Sequence, residues 1–152
     1  MTSSIDNRQS TIDIFSIPIL SVCQPYAYLI VHGPKRVENR TWATNYRGWI
    51  GIHASKGRRY MDDWEQHAAL IGDPSVLQFG AVIGVARLVE CVGRKDRTDK
   101  TDRTYDWVID DPWFEGPVGW VLLEARPIEP FPCRGKTMLF RLPNNPTNPT
   151  NL

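Results

Sequence analysis

Residues 33–40 read Gly-Pro-Lys-Arg-Val-Glu-Asn-Arg, which gathers Lys35, Glu38 and Arg40 just beyond a short apolar segment opening with Gln24-Pro25. A lysine can meet a phosphate as a point charge, or act as a base where burial lowers its pKa. An arginine can grip a carboxylate or phosphate with two parallel hydrogen bonds. Glu38 and Arg40 stand two apart, so on a strand they project from one face and reach each other. The plain alternative is that this pair satisfies itself while Lys35 is solvated. Downstream, Trp42, Tyr46 and Arg47, then His53 and Lys56, place flat rings and an imidazole beside cations. Stacking on rings together with phosphate contact is how single-stranded RNA or a free base is held. Equally, Trp and Tyr are ordinary core and rim residues, and His53 can hydrogen-bond a backbone carbonyl.

Other chemistry-bearing residues are less pointed. Cys23 precedes a predicted helix start, where the dipole can lower a thiol pKa, although a buried and inert thiol is the usual state. Glu90, near the end of a predicted strand, offers a second carboxylate or simply a solvated charge. His32 and His67 share no ligand spacing with His53, so no metal site and no cofactor are predicted.

These residues need a frame. Residues 12–22 are isoleucine-rich with Pro18 inside, which predicts an edge or bulged strand. Pro25 is placed to start a helix running to His32, and Gly33 followed by Pro34 ends it. Residues 37–42 and 49–54 read as strands joined by a turn through Asn45 and Gly48. In the second, Ile50, Ile52 and Ala54 predict the core face, with Trp49, Gly51 and His53 opposite. Tyr60, Trp64, Ala68 and Ile71 recur at helical spacing and predict a helix over 59–71. Residues 80–92 and 118–125 are β-rich, and 138–142 is a candidate last strand. Trp120 shares a face with Leu122 and is expected in the core, or capping a base if that face lines a cleft. The expected class is mostly β (α+β): a small barrel of about five or six strands with two or three flanking helices.

The chain has 152 residues, is 41% hydrophobic and carries a formal net charge of +1. That length suits one domain, expected over residues 12–142 with disordered segments at 1–11 and 143–152. A charged stretch at 94–106, in which Asp-Arg-Thr and Asp-Lys-Thr alternate in sign, is expected to be a mobile loop. Near-neutral charge excludes duplex binding by bulk charge and leaves a local basic pocket open. Three well-separated cysteines fit neither a disulfide framework nor zinc spacing, which points to a reducing, cytoplasmic setting. No signal-peptide core is read at the start, and no run approaches the ~18 apolar residues of a membrane span. Oligomeric state is not legible.

Taken together, three segments resemble the ASCH domain family of PUA-like β-barrels. They are Ser-Val-Cys-Gln-Pro-Tyr-Ala from Ser21, the Gly33, Lys35, Glu38 and Arg40 pattern, and Tyr-Arg-Gly-Trp-Ile-Gly-Ile-His-Ala-Ser-Lys ending at Lys56. Gly-Ala-Val-Ile-Gly-Val-Ala-Arg from Gly80, Gly-Trp-Val-Leu from Gly119 and Arg-Gly-Lys ending at Lys136 are similar to it as well, so the likeness covers residues 15–142. The resemblance implies a cleft between barrel and helices that takes RNA or a nucleoside-like ligand. On this reading Lys35, Glu38 and Arg40 bind it, assisted by Trp42, Tyr46, Arg47, His53 and Lys56. Some members are hydrolases: one branch deacetylates acetylated cytidine and another is described as a ribonuclease. The alternative function is therefore metal-independent hydrolysis with Lys35 and Glu38 exchanging protons, and a further one is a protein-interaction module. The amidohydrolase branch carries a threonine nucleophile three residues after its lysine, where this chain has Glu38 and where Thr41 points the wrong way. A carboxylate can act as a base but not as that hydroxyl, so the deacetylase mechanism does not transfer directly.

Overall fold

A computed structural model describes residues 12–94 and 103–143. Five strands form one sheet: β1 (Ile19–Val22), β2 (Val37–Arg40), β3 (Gly48–Ala54), β4 (Ala81–Gly93) and β5 (Val118–Pro132). Their spatial order is β1-β3-β4-β5-β2, with β1 parallel to β3 and every other pairing antiparallel. β2 and β3, consecutive in the chain, are therefore not partners; β2 crosses over to pair with β5. The long β4–β5 ladder carries three register shifts and the β3–β4 ladder carries one, between Ile52 and His53. Bulges increase local twist, and these curl the sheet into a half-barrel. One of them leaves Glu124 at φ 54°, where its side chain meets Arg87.

The interior of the curl is filled by Leu20, Val22, Ile50, Ile52, Leu88, Trp120 and Leu122 together with Ala27, Ile30 and Val31 from helix α1 (Tyr26–Val31). Trp120 is fully buried, and its indole N–H donates to the Trp42 carbonyl at 3.0 Å. The other face of β3 is covered too. Ile17, Ile19, Val82, Val85 and Phe140 form an outer layer against which Trp49 packs. Both faces of the sheet are thus screened, which explains why His53, expected opposite the core, is only 1% exposed.

Several expected elements are corrected. The strand predicted over 12–22 is only Ile19–Val22, because Asp13 caps a turn and Pro18 contributes just its carbonyl, to Gly51 N–H. Pro25 is the residue before α1 rather than its first turn, and the buried Gln24 side chain accepts from Tyr28 N–H at 2.9 Å. Gly33 does take a positive φ of 72° after the helix. The predicted helix over 59–71 is a 3-10 segment, Met61–His67, running into one turn of α2, Ala68–Ile71. Residues 138–142 contribute a single bridge, Phe140 to Ile19. The segment 1–11 and most of the tail and of the charged stretch lie outside the described residues. Of that stretch, Arg94 pairs with the Pro117 and Glu115 carbonyls, and Asp106 opens a 3-10 turn, Asp106–Asp110. No helix of the described residues is long and apolar enough to cross a membrane.

Helix α1 approaches the sheet at Gly84, where an added Cβ would lie 2.5 Å from Val31 Cγ2 and 2.7 Å from the Arg126 carbonyl oxygen. Backbone cannot yield as a side chain can. Gly84→Ala should therefore cost about 2 kcal/mol, read as a lowered urea midpoint. An unchanged midpoint would mean that the helix end moves away freely.

Candidate functional site

Strands β1 and β2 are the two edges of the curled sheet, and they meet at a seam. No backbone ladder closes it; instead Arg40 on β2 reaches across, its Nη2 donating to the Ser21 carbonyl on β1 at 2.6 Å. A cavity of about 1230 Å³ opens along this seam. Its walls come from β1, β2, the end of β3, the 3-10 segment, the loop 112–115 and the segment 132–137.

Lys35 and Glu38 lie at its inner wall, 4% and 7% exposed. Lys35 is placed by its backbone N–H, which donates to the Leu29 carbonyl of α1 at 3.1 Å, and its Nζ donates to the Val37 carbonyl. Its ammonium lies 5.5 Å from the Tyr26 ring centre and 5.4 Å from that of Trp113. Burial pushes the amine below the usual lysine range with help from the Arg40 charge, while Glu38, Glu115 and Asp111 oppose the shift. Glu38 follows from β-strand alternation: Val37 turns into the core and Glu38 into the cavity. Its Oε1 accepts from Asn39 N–H at 2.7 Å and sits 3.3 Å from Arg40 Nη1, as the two-residue spacing predicts. Its Oε2 is buried and has no hydrogen-bond partner among the described residues.

Neighbouring elements complete the walls. Asn39 donates to the Trp113 carbonyl and accepts from Glu115 and Gly116 N–H, which fastens the loop bearing Trp113 and Glu115 against β2. Tyr60, Asp63 and Gln66 line the opening at intervals of three. A 3-10 helix has three residues per turn, so this spacing makes one face, whereas the α-helical reading put Trp64 on the important stripe. Tyr26 Oη donates to Asp63 Oδ2 at 2.5 Å, and burial first, then this bond, raises the phenol pKa.

His53 is tied at both nitrogens. Nε2 lies 2.8 Å from the Cys133 carbonyl and Nδ1 lies 3.0 Å from Ser21 Oγ. A carbonyl only accepts, so Nε2 carries a proton; burial lowers the imidazole pKa, against the smaller effect of that carbonyl, and the neutral ring leaves Nδ1 to accept from the Ser21 hydroxyl. The segment 133–136 can lie this close because residue 135 is glycine. A Cβ there would sit 2.5 Å from Ser21 Oγ and 2.6 Å from His53 Cε1.

Of the residues proposed from sequence, Lys35, Glu38, Arg40, His53 and Lys56 line one cavity. Trp42, Tyr46 and Arg47 do not. Trp42 stacks edge-on against Trp120 with ring centres 4.8 Å apart, Tyr46 Oη donates to the Trp49 carbonyl, and Arg47 pairs with Glu90 at 2.6 Å. Their chain segment joins β2 to β3 and is carried away from the seam when β2 crosses to β5. Glu90, engaged by Arg47, is no second carboxylate of the site. Cys23 does line the cavity, its sulfur accepting from Ser55 Oγ at 3.3 Å. Sequence reasoning gave no role to Ser21, Tyr26, Asp63, Trp113 or Glu115. The first two were visible only inside a family motif, and the interval of three was the available mark of Asp63. Among the described residues, no group of three or more His, Cys, Asp or Glu could hold a metal ion.

The sequence profile of the ASCH domain matches residues 20–132. Activating signal cointegrator 1 of Homo sapiens is 27% identical over 138 residues, covering 81% of this chain and 22% of its own length; the Mus musculus protein is 25% identical with the same coverage. The chain thus spans about a fifth of these curated relatives. Among solved structures, ASCH of Zymomonas mobilis is 23% identical with a TM-score of 0.42, covering 79% of this chain and 75% of that one. A serine-to-alanine mutant of it is 21% identical with a TM-score of 0.44, covering 80% and 77%.

The buried neutral His53 gives a pH signature. Its folded pKa is depressed below 6.5, so under that value the unfolded chain holds more protons. Stability should be full above pH 6.5 and fall as the pH drops below it, with His53→Gln showing a shallower decline in urea midpoint. Equal slopes for the two proteins would show that His53 is not held neutral.

Proposed function

The chain belongs to the ASCH domain family, a PUA-like group, and from that premise we propose that its seam cavity binds single-stranded RNA or a nucleoside-like part of it. The observation that carries this reading is the buried couple on the inner wall. Glu38 Oε2 lacks a partner among the described residues, and a buried carboxylate oxygen left unpaired is costly until a ligand N–H satisfies it. Lys35 beside it retains N–H groups for an acceptor on the same ligand. A base edge presents donors and acceptors side by side, which complements this couple.

The charge distribution supports the same ligand. Six cationic side chains line the cavity, Lys35, Arg40, Lys56, Arg59, Arg134 and Lys136, against three acids, Glu38, Asp63 and Glu115. The whole chain carries only +1. Among the described residues no ion pair neutralises Lys56, Arg59, Arg134 or Lys136. That concentration of unpaired charge suits a phosphate backbone whose base enters the cavity.

Anisotropy titration of a labelled single-stranded RNA pool tests the reading. Lys35→Ala and Glu38→Gln should each weaken binding about tenfold or more, since each removes a desolvated contact. Lys136→Ala should lower the salt slope by roughly 0.7, the increment for one phosphate contact on a single strand. Arg47→Ala, which faces away from the seam, should leave affinity within about twofold. No binding of RNA or nucleosides by the intact protein at low salt would refute the proposal, and unchanged affinity in Lys35→Ala would favour a protein-interaction module.

The depressed pKa of the buried Lys35 amine favours one second reading, metal-independent hydrolysis of RNA or an acylated nucleoside with Lys35 as the base. It requires turnover that Lys35→Ala abolishes; RNA retained on a filter without turnover removes it.

A further inference from the structure

The cavity holds a second set of groups that base recognition does not use. Ser21 Oγ, His53 and the Cys133 carbonyl form a chain of hydrogen bonds of 3.0 and 2.8 Å. Its polarity follows from the donors. The carbonyl accepts from Nε2–H, Nδ1 is left with its lone pair, and the Ser21 hydroxyl hydrogen points at that lone pair. This is the relation of a nucleophile to its general base, with a third group fixing the base's tautomer. Such a pair is productive only where a substrate can reach it, and Ser21 and His53 both line the cavity.

The surroundings add what attack at a carbonyl needs. Arg40 Nη2 grips the Ser21 carbonyl at 2.6 Å and so fixes the backbone that carries the nucleophile. Lys136 N–H donates to Ser21 Oγ at 3.3 Å and so helps to hold the hydroxyl in place. The glycine at 135 is required for this approach, because any side chain would occupy the space of the Oγ and the imidazole.

We propose that Ser21 is an acyl-accepting nucleophile with His53 as its general base, acting on a carboxylic ester whose alcohol portion carries negative charge. The sign follows from the six cations and three acids around the cavity. Ser21 Oγ bonds to the ester carbonyl carbon while the carbonyl π pair moves onto oxygen and Nδ1 of His53 takes the hydroxyl proton. The oxyanion collapses, the C–O bond to the alcohol breaks, and that proton leaves Nδ1 with the alcohol. Water then attacks acyl-Ser21, giving a proton to Nδ1; the carboxylic acid departs and Oγ regains the proton. Ester and water become acid and alcohol, with no oxidant, metal or cofactor in the balance. The Cys133 carbonyl positions the base and touches no reacting atom.

The test uses the full chain with p-nitrophenyl acetate and with an O-acetylated nucleoside monophosphate. Intact mass and peptide mapping after rapid acid quench should find one acetyl group on Ser21. Ester cleavage should fall about 100-fold or more in Ser21→Ala. The rate should rise with pH along a midpoint below 6.5, as His53 loses its proton, and the phosphate-bearing ester should be preferred at low salt. Because Ser21→Ala also removes a bond between β1 and β3, its fold is checked by urea midpoint, and the labelling of the unaltered protein needs no variant. Acetyl found on Cys23 or Lys35 instead, or no acetyl-enzyme and cleavage at the buffer rate, would overturn the assignment. RNA affinity is read separately, so either proposal can fail without the other.

Discussion

The curled sheet does not close by backbone pairing, and the seam cavity exists because of that. Strands β1 and β2 arrive at the seam as opposed edges, and the link between them is a side chain, Arg40 reaching the Ser21 carbonyl. A continuous ladder there would bring the edges to the ordinary strand separation of about 4.8 Å and leave no cavity. The Arg40 guanidinium spans a wider gap, satisfies an edge carbonyl and stays close to Glu38. The same arrangement protects two exposed strand edges from pairing with other chains, a recognised liability of open sheets.

Holding charge at that seam has an energetic consequence. Lys35 and Glu38 are nearly buried, yet the carboxylate is only half satisfied and the amine is supported by a carbonyl and two ring faces. Desolvation penalises the charged Lys35 amine, and the nearby Arg40 charge adds to that penalty. Such an arrangement is a poor way to stabilise a fold; under the proposed function it would hold the protein groups aimed before a ligand arrives. The apolar interior around Trp120 and the outer layer around Ile19 and Phe140 supply the stability that the seam does not.

Irregular segments form much of the cavity wall. The loop bearing Trp113 is pinned by Asn39, the 3-10 segment presents Tyr60, Asp63 and Gln66 in register with its own pitch, and Gly135 brings a backbone N–H to Ser21. Segments of this kind are stable only because packed strands hold their ends, so the bulges that curl β4 and β5 are as much part of the site as the side chains.

Local pattern determined what depends on neighbours in the chain. Alternation paired Glu38 with Arg40, β-rich runs located five strands, and Gly33 with Pro34 marked the end of α1, because each reflects backbone geometry within a few residues. The octet 33–40 and the family likeness pointed to Lys35, Glu38 and Arg40, which line one cavity. The tertiary structure decided what depends on crossing. Trp42, Tyr46 and Arg47 follow the octet closely in sequence but leave the seam when β2 joins β5, and the distant Ser21, His53, Trp113 and Lys136 come to it instead. The helical stripe around Trp64 misled because periodicity alone does not distinguish a pitch of 3.6 from one of three when packing chooses the tighter turn. Sequence spacing measures distance along the chain, whereas a cavity is made by strand order and curvature, which arise only when the sheet buries its two faces at once.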